Sequence, residues 1–291
     1  MDRLLFIINP VAGGGRAGAL QSQIERTMEK NKINYDIVLT TRPKEAITIA
    51  EETPHNKVIA VGGDGTVNEV AKGLINRGHG ILGIIPGGTG NDLSRSLGIS
   101  MDPIESINAI IQGKIIEMDI GCANGHKFLN IASVGFDAEV VKNTESIKKK
   151  IKGKVAYILG VILTIISFRK KKVTLEIDNK ICTKSLLLLA VGNGNYYGGG
   201  MKILPQANIN DGYLHICLIK DVNNLILLTL FPTIFKGNHI KYKKYVEIIK
   251  SKKISIKSKE KMYFNLDGEL IDGGKEINFN LSDHKLYVIH A

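Results

Sequence analysis

Over roughly the first 90 residues, short solid runs of apolar residues alternate with stretches whose apolar positions recur at helical spacing. Leu4 to Ile8 reads as a buried strand, and Leu20, Ile24 and Met28 put one apolar face on a helix from Ala19 to Lys32. Strands follow over 34–40, 58–61 and 80–85, with helices over 44–52 and 67–76. This alternation predicts an α/β domain built on a doubly wound parallel sheet, with ligands bound at the carboxyl ends of the strands. Past Asp119-Ile120-Gly121 the texture changes. Strand-length runs at 128–132, 173–177, 185–191, 213–218, 253–257, 262–266, 276–281 and 286–289, separated by turn residues, predict a β-rich second domain. The expected division is 1–120 and 121–291.

Two apolar stretches break the β pattern, Val155 to Phe168 and Leu225 to Phe235, each flanked by lysines. Both fall short of the roughly 20 residues that cross a bilayer. Two readings stay open for each: a core helix with snorkelling lysines, or a helix beside a lipid-entry cleft or at a membrane interface.

At 291 residues and 44% hydrophobic content the chain can fill two cores. Its three cysteines, Cys122, Cys182 and Cys217, stand far apart with no CxxC spacing, which suits a reducing, cytoplasmic setting and gives no disulfide framework or zinc site. The start lacks a basic segment, a long apolar segment and a cleavage site, so no signal peptide is expected. Net charge is +11 and unevenly placed: ten Lys and Arg face one acid between Lys142 and Lys172, and ten face two between Lys236 and Lys261. Two readings stay open for this basic second half: solvated faces, or a surface for anionic lipid, that is, peripheral association with the inner face of a membrane. With no Trp and no recognised RNA or DNA motif, nucleic-acid binding is not expected. A homo-oligomer stays open.

Phosphate chemistry is suggested by two glycine loops, each between a strand and a helix: Gly62-Gly63-Asp64-Gly65-Thr66 and Pro86-Gly87-Gly88-Thr89-Gly90-Asn91-Asp92. Glycines allow close backbone approach to a polyphosphate, and the following helix start aims N–H groups at the anion. Asp64 beside phosphate calls for a cation between them, which makes a divalent metal the first hypothesis. Gly13-Gly14-Gly15-Arg16-Ala17-Gly18 formally fits a dinucleotide-binding turn, but the second strand ends in Leu39-Thr40-Thr41, without the acid that would hold the ribose. No Walker loop or protein-kinase motif occurs. Arg16 and Arg95, at or just after glycine loops, are candidates to neutralise phosphate. The seven histidines show no metal-ligand spacing.

Asn9-Pro10-Val11-Ala12-Gly13, Gly62 to Glu69 and Pro86 to Asp92 together resemble the diacylglycerol kinase catalytic-domain family, which includes bacterial soluble lipid kinases and sphingosine kinases. Further blocks match in order: Phe128 to Ala138, Asn208 to Tyr213, and Leu266-Asp267-Gly268-Glu269. GGDGT alone is shared with NAD kinases, while the P-G-G-T-G-N-D loop and Val67-Asn68-Glu69 favour the lipid-kinase side. The resemblance implies an NAD-kinase-like α/β domain, a β-sandwich second domain, and ATP in a cleft. It places ATP against Asn9, Pro10, Val11, Ala12, Gly13, Thr40, Gly62, Gly63, Asp64, Gly65, Thr66, Val67, Asn68 and Thr89. It implies magnesium on Asn208, Asp211 and Tyr213, with Asp64 reaching the ion through a water linked to Asp211.

The acceptor alcohol needs a base, and Asp267 and Glu269 are the candidates, with Glu269 favoured by family position. In an extended segment the two would share a face unless Gly268 turns the chain. The implied activity is transfer of the ATP γ-phosphate to a lipid hydroxyl, most simply diacylglycerol to phosphatidic acid. The rivals are an NAD kinase and a catalytically silent nucleotide- or lipid-binding regulator.

Overall fold

The computed structural model describes residues 3–136, 139, 140, 160, 164 and 171–290. The Val155 to Phe168 stretch therefore lies outside the described residues apart from Gly160 and Thr164. The chain forms two compact units, and the expected single cut at 121 is corrected in two places. One unit holds Met1–Ile120 together with Gly198–Gly200 and Asp283–Ala291, and the other holds Gly121–Tyr197 and Met201–Ser282.

In the first unit, β1 (Leu4–Ile8), β2 (Tyr35–Leu39), β3 (Lys57–Gly62) and β4 (Ile81–Pro86) pair in parallel in the order β2-β1-β3-β4. Ile8 stands opposite both Leu39 and Val61, and Gly62 opposite Pro86, so all four carboxyl ends share one edge. The returning tail joins this sheet, with Tyr287 and Val288 parallel to Ile81 and Leu82. That pairing is why the last residues belong to the first unit. The expected helix from 19 to 32 is two: α1 (Arg16–Ala19) and α2 (Gln21–Lys30), whose Ile24 and Met28 are fully buried.

Helix α3 (Glu45–Glu52) packs on α4 (Asp64–Arg77), where a Cβ on Gly73 would come within 2.7 Å of the Ala50 methyl. After the short α5 (Asp92–Ser96) comes α6 (Pro103–Gln112), which the apolar pattern did not single out. Its signals are local: Asp102 accepts from the N–H groups of Ile104 and Glu105, proline opens the first turn, and Gly113 closes the helix with a left-handed φ of 65°.

The second unit is antiparallel. Strands β5 (Lys114–Ala123), which begins in the first unit, β6 (His126–Phe128), β7 (Ile131–Gly135), β8 (Lys171–Ile177), β9 (Lys180–Gly192) and β10 (Leu214–Lys220) precede α7 (Asn224–Ile234). Then come β11 (Val246–Ser251), β12 (Lys253–Leu266) and β13 (Glu269–His290), whose end is the tail already assigned to the first unit. Runs expected as separate strands at 253–257 and 262–266 are one strand with register shifts, and β11 was not anticipated. Alternate residues of β10 enter two cores: Leu214, Ile216 and Leu218 one, Cys217 and Ile219 the other. Burial on both faces explains why this strand reads as a solid apolar run. The second core is closed by Leu227, Leu230 and Ile234 of α7.

Candidate functional site

The edge formed by the carboxyl ends of the parallel strands brings three glycine loops of the first unit together. The Asn9 amide donates to Thr66 Oγ1 at 3.2 Å, and Asn9 N–H donates to the Val61 carbonyl at 3.1 Å. Gly87 N–H donates to the Gly62 carbonyl at 2.7 Å. Arg16, for which a phosphate-neutralising role and a plain surface role were both open, donates to the carbonyls of Gly13 at 3.1 Å and Gly88 at 2.7 Å. Arg95 likewise bonds the Gly90 carbonyl. Several glycines are required by this loop-on-loop packing: a Cβ on Gly87 would meet the Ala17 methyl at 2.7 Å, and one on Gly63 would meet Gly88 Cα at 3.1 Å.

Helix α4 starts at Asp64 with Gly63 as an N-cap that supplies no side-chain bond. Its first-turn N–H groups and the positive end of its dipole are thus available to an anion. Thr40 and Thr66 are buried at this edge, whereas Val11, Gly65 and Thr89 are exposed.

The Asp64 carboxylate has a definite occupation. It accepts from the N–H groups of Asn91 at 2.8 Å, Asp92 at 2.6 Å and Leu93 at 3.4 Å, and so caps α5 from another loop. α5 needs this because its own N-cap, Asn91, sits at a left-handed φ of 53° and makes no side-chain cap bond. Asp92, not singled out from the sequence, is 7% exposed and accepts from Gly199 N–H at 2.8 Å, fastening the Gly198–Gly200 turn to this unit. Among the described residues, its Oδ1 is buried without a hydrogen-bond partner. Burial, opposed by the N–H bonds and reinforced by the Asp64 charge, raises its pKa to about 6.

In the second unit, Asn208, Asp211 and Tyr213 form the turn entering β10. Asp211 accepts from Tyr213 N–H at 3.1 Å, while its other oxygen meets Lys250 Nζ at 2.7 Å and His215 Nε2 at 3.1 Å. Partial burial works to raise the Asp211 pKa, but Lys250 and His215 outweigh it and hold the carboxyl below its ordinary range. Burial lowers that of His215. The turn offers one carboxylate plus backbone oxygens, hard donors of the kind that suit a magnesium ion retaining several waters. Lys250 already stands as a cation on the same oxygen. Among the described residues, no group of three His, Cys, Asp or Glu side chains could hold a metal.

Asp267 and Gly268, with φ of 49° and 97°, form the two-residue turn between β12 and β13, so Gly268 does turn the chain and the shared-face geometry is lost. The Asp267 carboxylate accepts from Leu129 at 2.7 Å, Asn130 at 3.1 Å and Ile131 at 2.9 Å. These bonds hold the bend at Leu129 and Asn130 that divides the run expected as one strand over 128–132 between β6 and β7. Glu269 is exposed.

Residues 3–123 match the model for the diacylglycerol kinase catalytic domain, and residues 130–287 match that for the YegS C-terminal NAD kinase beta sandwich-like domain. A diacylglycerol kinase of Bacillus subtilis is 32% identical, over 92% of this chain and 90% of its own. One from Staphylococcus saprophyticus is also 32% identical, over 97% and 93%. A Bacillus anthracis structure provisionally described as a diacylglycerol kinase superposes with a TM-score of 0.83 at 28% identity, covering 100% of this chain and 95% of that one. An Archaeoglobus fulgidus NAD kinase in complex with ATP shares the fold, with a TM-score of 0.56 at 14% identity, covering 99% and 93%.

Proposed function

The chain belongs to the diacylglycerol kinase catalytic-domain family and is an ATP-dependent lipid kinase, and from that premise we propose that it phosphorylates diacylglycerol to phosphatidic acid. The reading is carried by identity to named diacylglycerol kinases running through both units rather than through the glycine loops alone. The first unit, taken as a doubly wound NAD-kinase-like domain, would hold ATP along the Asn9 to Gly13 loop, Thr40, Gly62 to Asn68 and Thr89. The uncapped start of α4 meets the phosphates, and Asp64 keeps the neighbouring loop in place for them.

Glu269 takes the proton from the acceptor hydroxyl as its oxygen attacks the γ-phosphorus and ADP leaves. We favour it over Asp267 because three backbone N–H groups occupy the Asp267 carboxylate. Asn208, Asp211 and Tyr213 would hold magnesium. Bound there, the ion would supply positive charge for phosphate oxygens. The lysine-rich second unit supports peripheral docking from the cytoplasmic side onto anionic lipid. Among the described residues no helix is long and apolar enough to cross a membrane.

The test is transfer of labelled phosphate from ATP to diacylglycerol in anionic mixed micelles, with NAD in lipid-free buffer as the competing acceptor. Labelled phosphatidic acid supports the reading, and labelled NADP alone would replace it with the NAD-kinase alternative.

A further inference from the structure

Helix α7 is apolar except for Asn224, Thr229 and Thr233, yet the sheet covers only one side of it. Leu227, Leu230 and Ile234 are buried in the core. Leu225, Leu228, Pro232 and Phe235 recur at spacings of three, four and three, which places them on the opposite face. All four are exposed, Leu225 by 76%, Leu228 by 55% and Phe235 by 47%. The hydroxyls on this helix carry their own acceptors: Thr229 donates to the Ile226 carbonyl at 2.8 Å and Thr233 to that of Leu230 at 2.6 Å. Polar groups satisfied within the helix suit a medium that offers no water.

The same segment is strongly basic. Lys236, Lys241, Lys243 and Lys244 follow the apolar face, Tyr242 among them is 47% exposed, and no acid occurs between Val222 and Val246. None of these four lysines makes an ion pair among the described residues. A second copy of the chain is a poor occupant, because a two-fold contact would set this uncompensated charge against itself. An anionic lipid surface satisfies both features at once.

We propose that this face of α7 is the part of the protein that enters the membrane. The helix lies in the interface plane with Leu225, Leu228 and Phe235 among the acyl chains, Tyr242 at headgroup level, and the lysines on anionic headgroups. At 11 residues it is about 16 Å long and lies in the bilayer surface rather than across it. The proposal rests on the reading that the substrate is a bilayer lipid.

The chain has no Trp, so Phe235→Trp creates a single fluorescent reporter at the proposed point of entry. Vesicles of mixed phosphatidylglycerol and phosphatidylcholine should shift its emission to the blue and allow quenching by brominated acyl chains, with far less effect from phosphatidylcholine alone. The triple variant Leu225→Ser, Leu228→Ser, Phe235→Ser should bind the mixed vesicles about 10-fold or more weakly. Its phosphorylation of short-chain diacylglycerol in detergent micelles should stay within about twofold of the parent, because the face takes no part in the chemistry. Unchanged vesicle affinity in the triple variant, or an unmoved emission spectrum, overturns the proposal. So does a blue shift without vesicles that grows with protein concentration, which would mark a contact between copies. Absence of micellar activity on diacylglycerol in the parent protein would instead refute the proposed acceptor and leave vesicle insertion measured on its own.

Discussion

Each unit contains a motif aspartate that clamps three consecutive backbone N–H groups. Asp64 holds Asn91, Asp92 and Leu93, and Asp267 holds Leu129, Asn130 and Ile131. In both, the carboxylate stands beside glycine, and residue type alone suggests a metal ligand or a base. The geometry gives both the same work, fixing a second segment that the sequence leaves 27 to 138 residues away. They differ in what they fix. Asp64 holds a glycine loop on the edge where the nucleotide is proposed to bind, and Asp267 holds the entry to a central strand.

The widest separation should come from a residue outside the pair. Glu269→Gln is expected to lower kcat by about 10³-fold with little change in thermal stability, as removal of a general base does. Equal losses in Glu269→Gln and Asp267→Asn would return Asp267 to the chemistry. Next, Asp267→Asn should cost about 3 kcal/mol in denaturant unfolding, since charge-assisted bonds to three buried donors are weakened. Asp64→Asn should cost less, about 1–2 kcal/mol, because its loop is more open, but should raise the KM for ATP several-fold. If both variants lose only stability, the proposed link from Asp64 to the nucleotide loop fails.

Asp92, the neighbour that Asp64 caps, gives a test in pH. Its folded pKa of about 6 lies above the ordinary 3.8, so the folded protein holds the extra proton between those values. The associated stability is present in full below about pH 4 and is lost as pH rises towards 6, on the order of 2–3 kcal/mol in total. Asp92→Asn should flatten that slope in urea unfolding measured across pH 4 to 7; an unchanged slope would mean that Asp92 is ionised at no cost. The smallest effect belongs to Lys250→Met. That lysine is half exposed, so its loss should change stability by less than about 1 kcal/mol. Magnesium affinity, read by calorimetry, should rise if Asp211 Oδ2 is the shared oxygen.

Three of the four parallel strands, β1, β3 and β4, were legible as largely apolar, buried runs, and the loops because glycine between strand and helix is chemically distinctive. Helix α6 escaped the apolar pattern although Asp102, Pro103 and Gly113 bracket it, since its signals lie at its ends rather than along its face. Glu269 was favoured by position in a motif, whereas the occupation of Asp267 by three amides belongs to residues about 137 positions away and leaves no local trace. Asp92 was passed over for the same reason, because its partner Gly199 arrives from the far half of the chain.

By itself, then, the chain's order of residues determined the alternating first half, the β-rich second half, the phosphate-suited loops and the family. All of these follow from periodicity, turn chemistry and motif spacing, which are local. Tertiary structure decided which carboxylates are already spent on backbone amides, where the tail returns to the first sheet, and which side of α7 is left uncovered. Each of those depends on which distant segment supplies a donor, a strand edge or a core, and only folding brings those partners together.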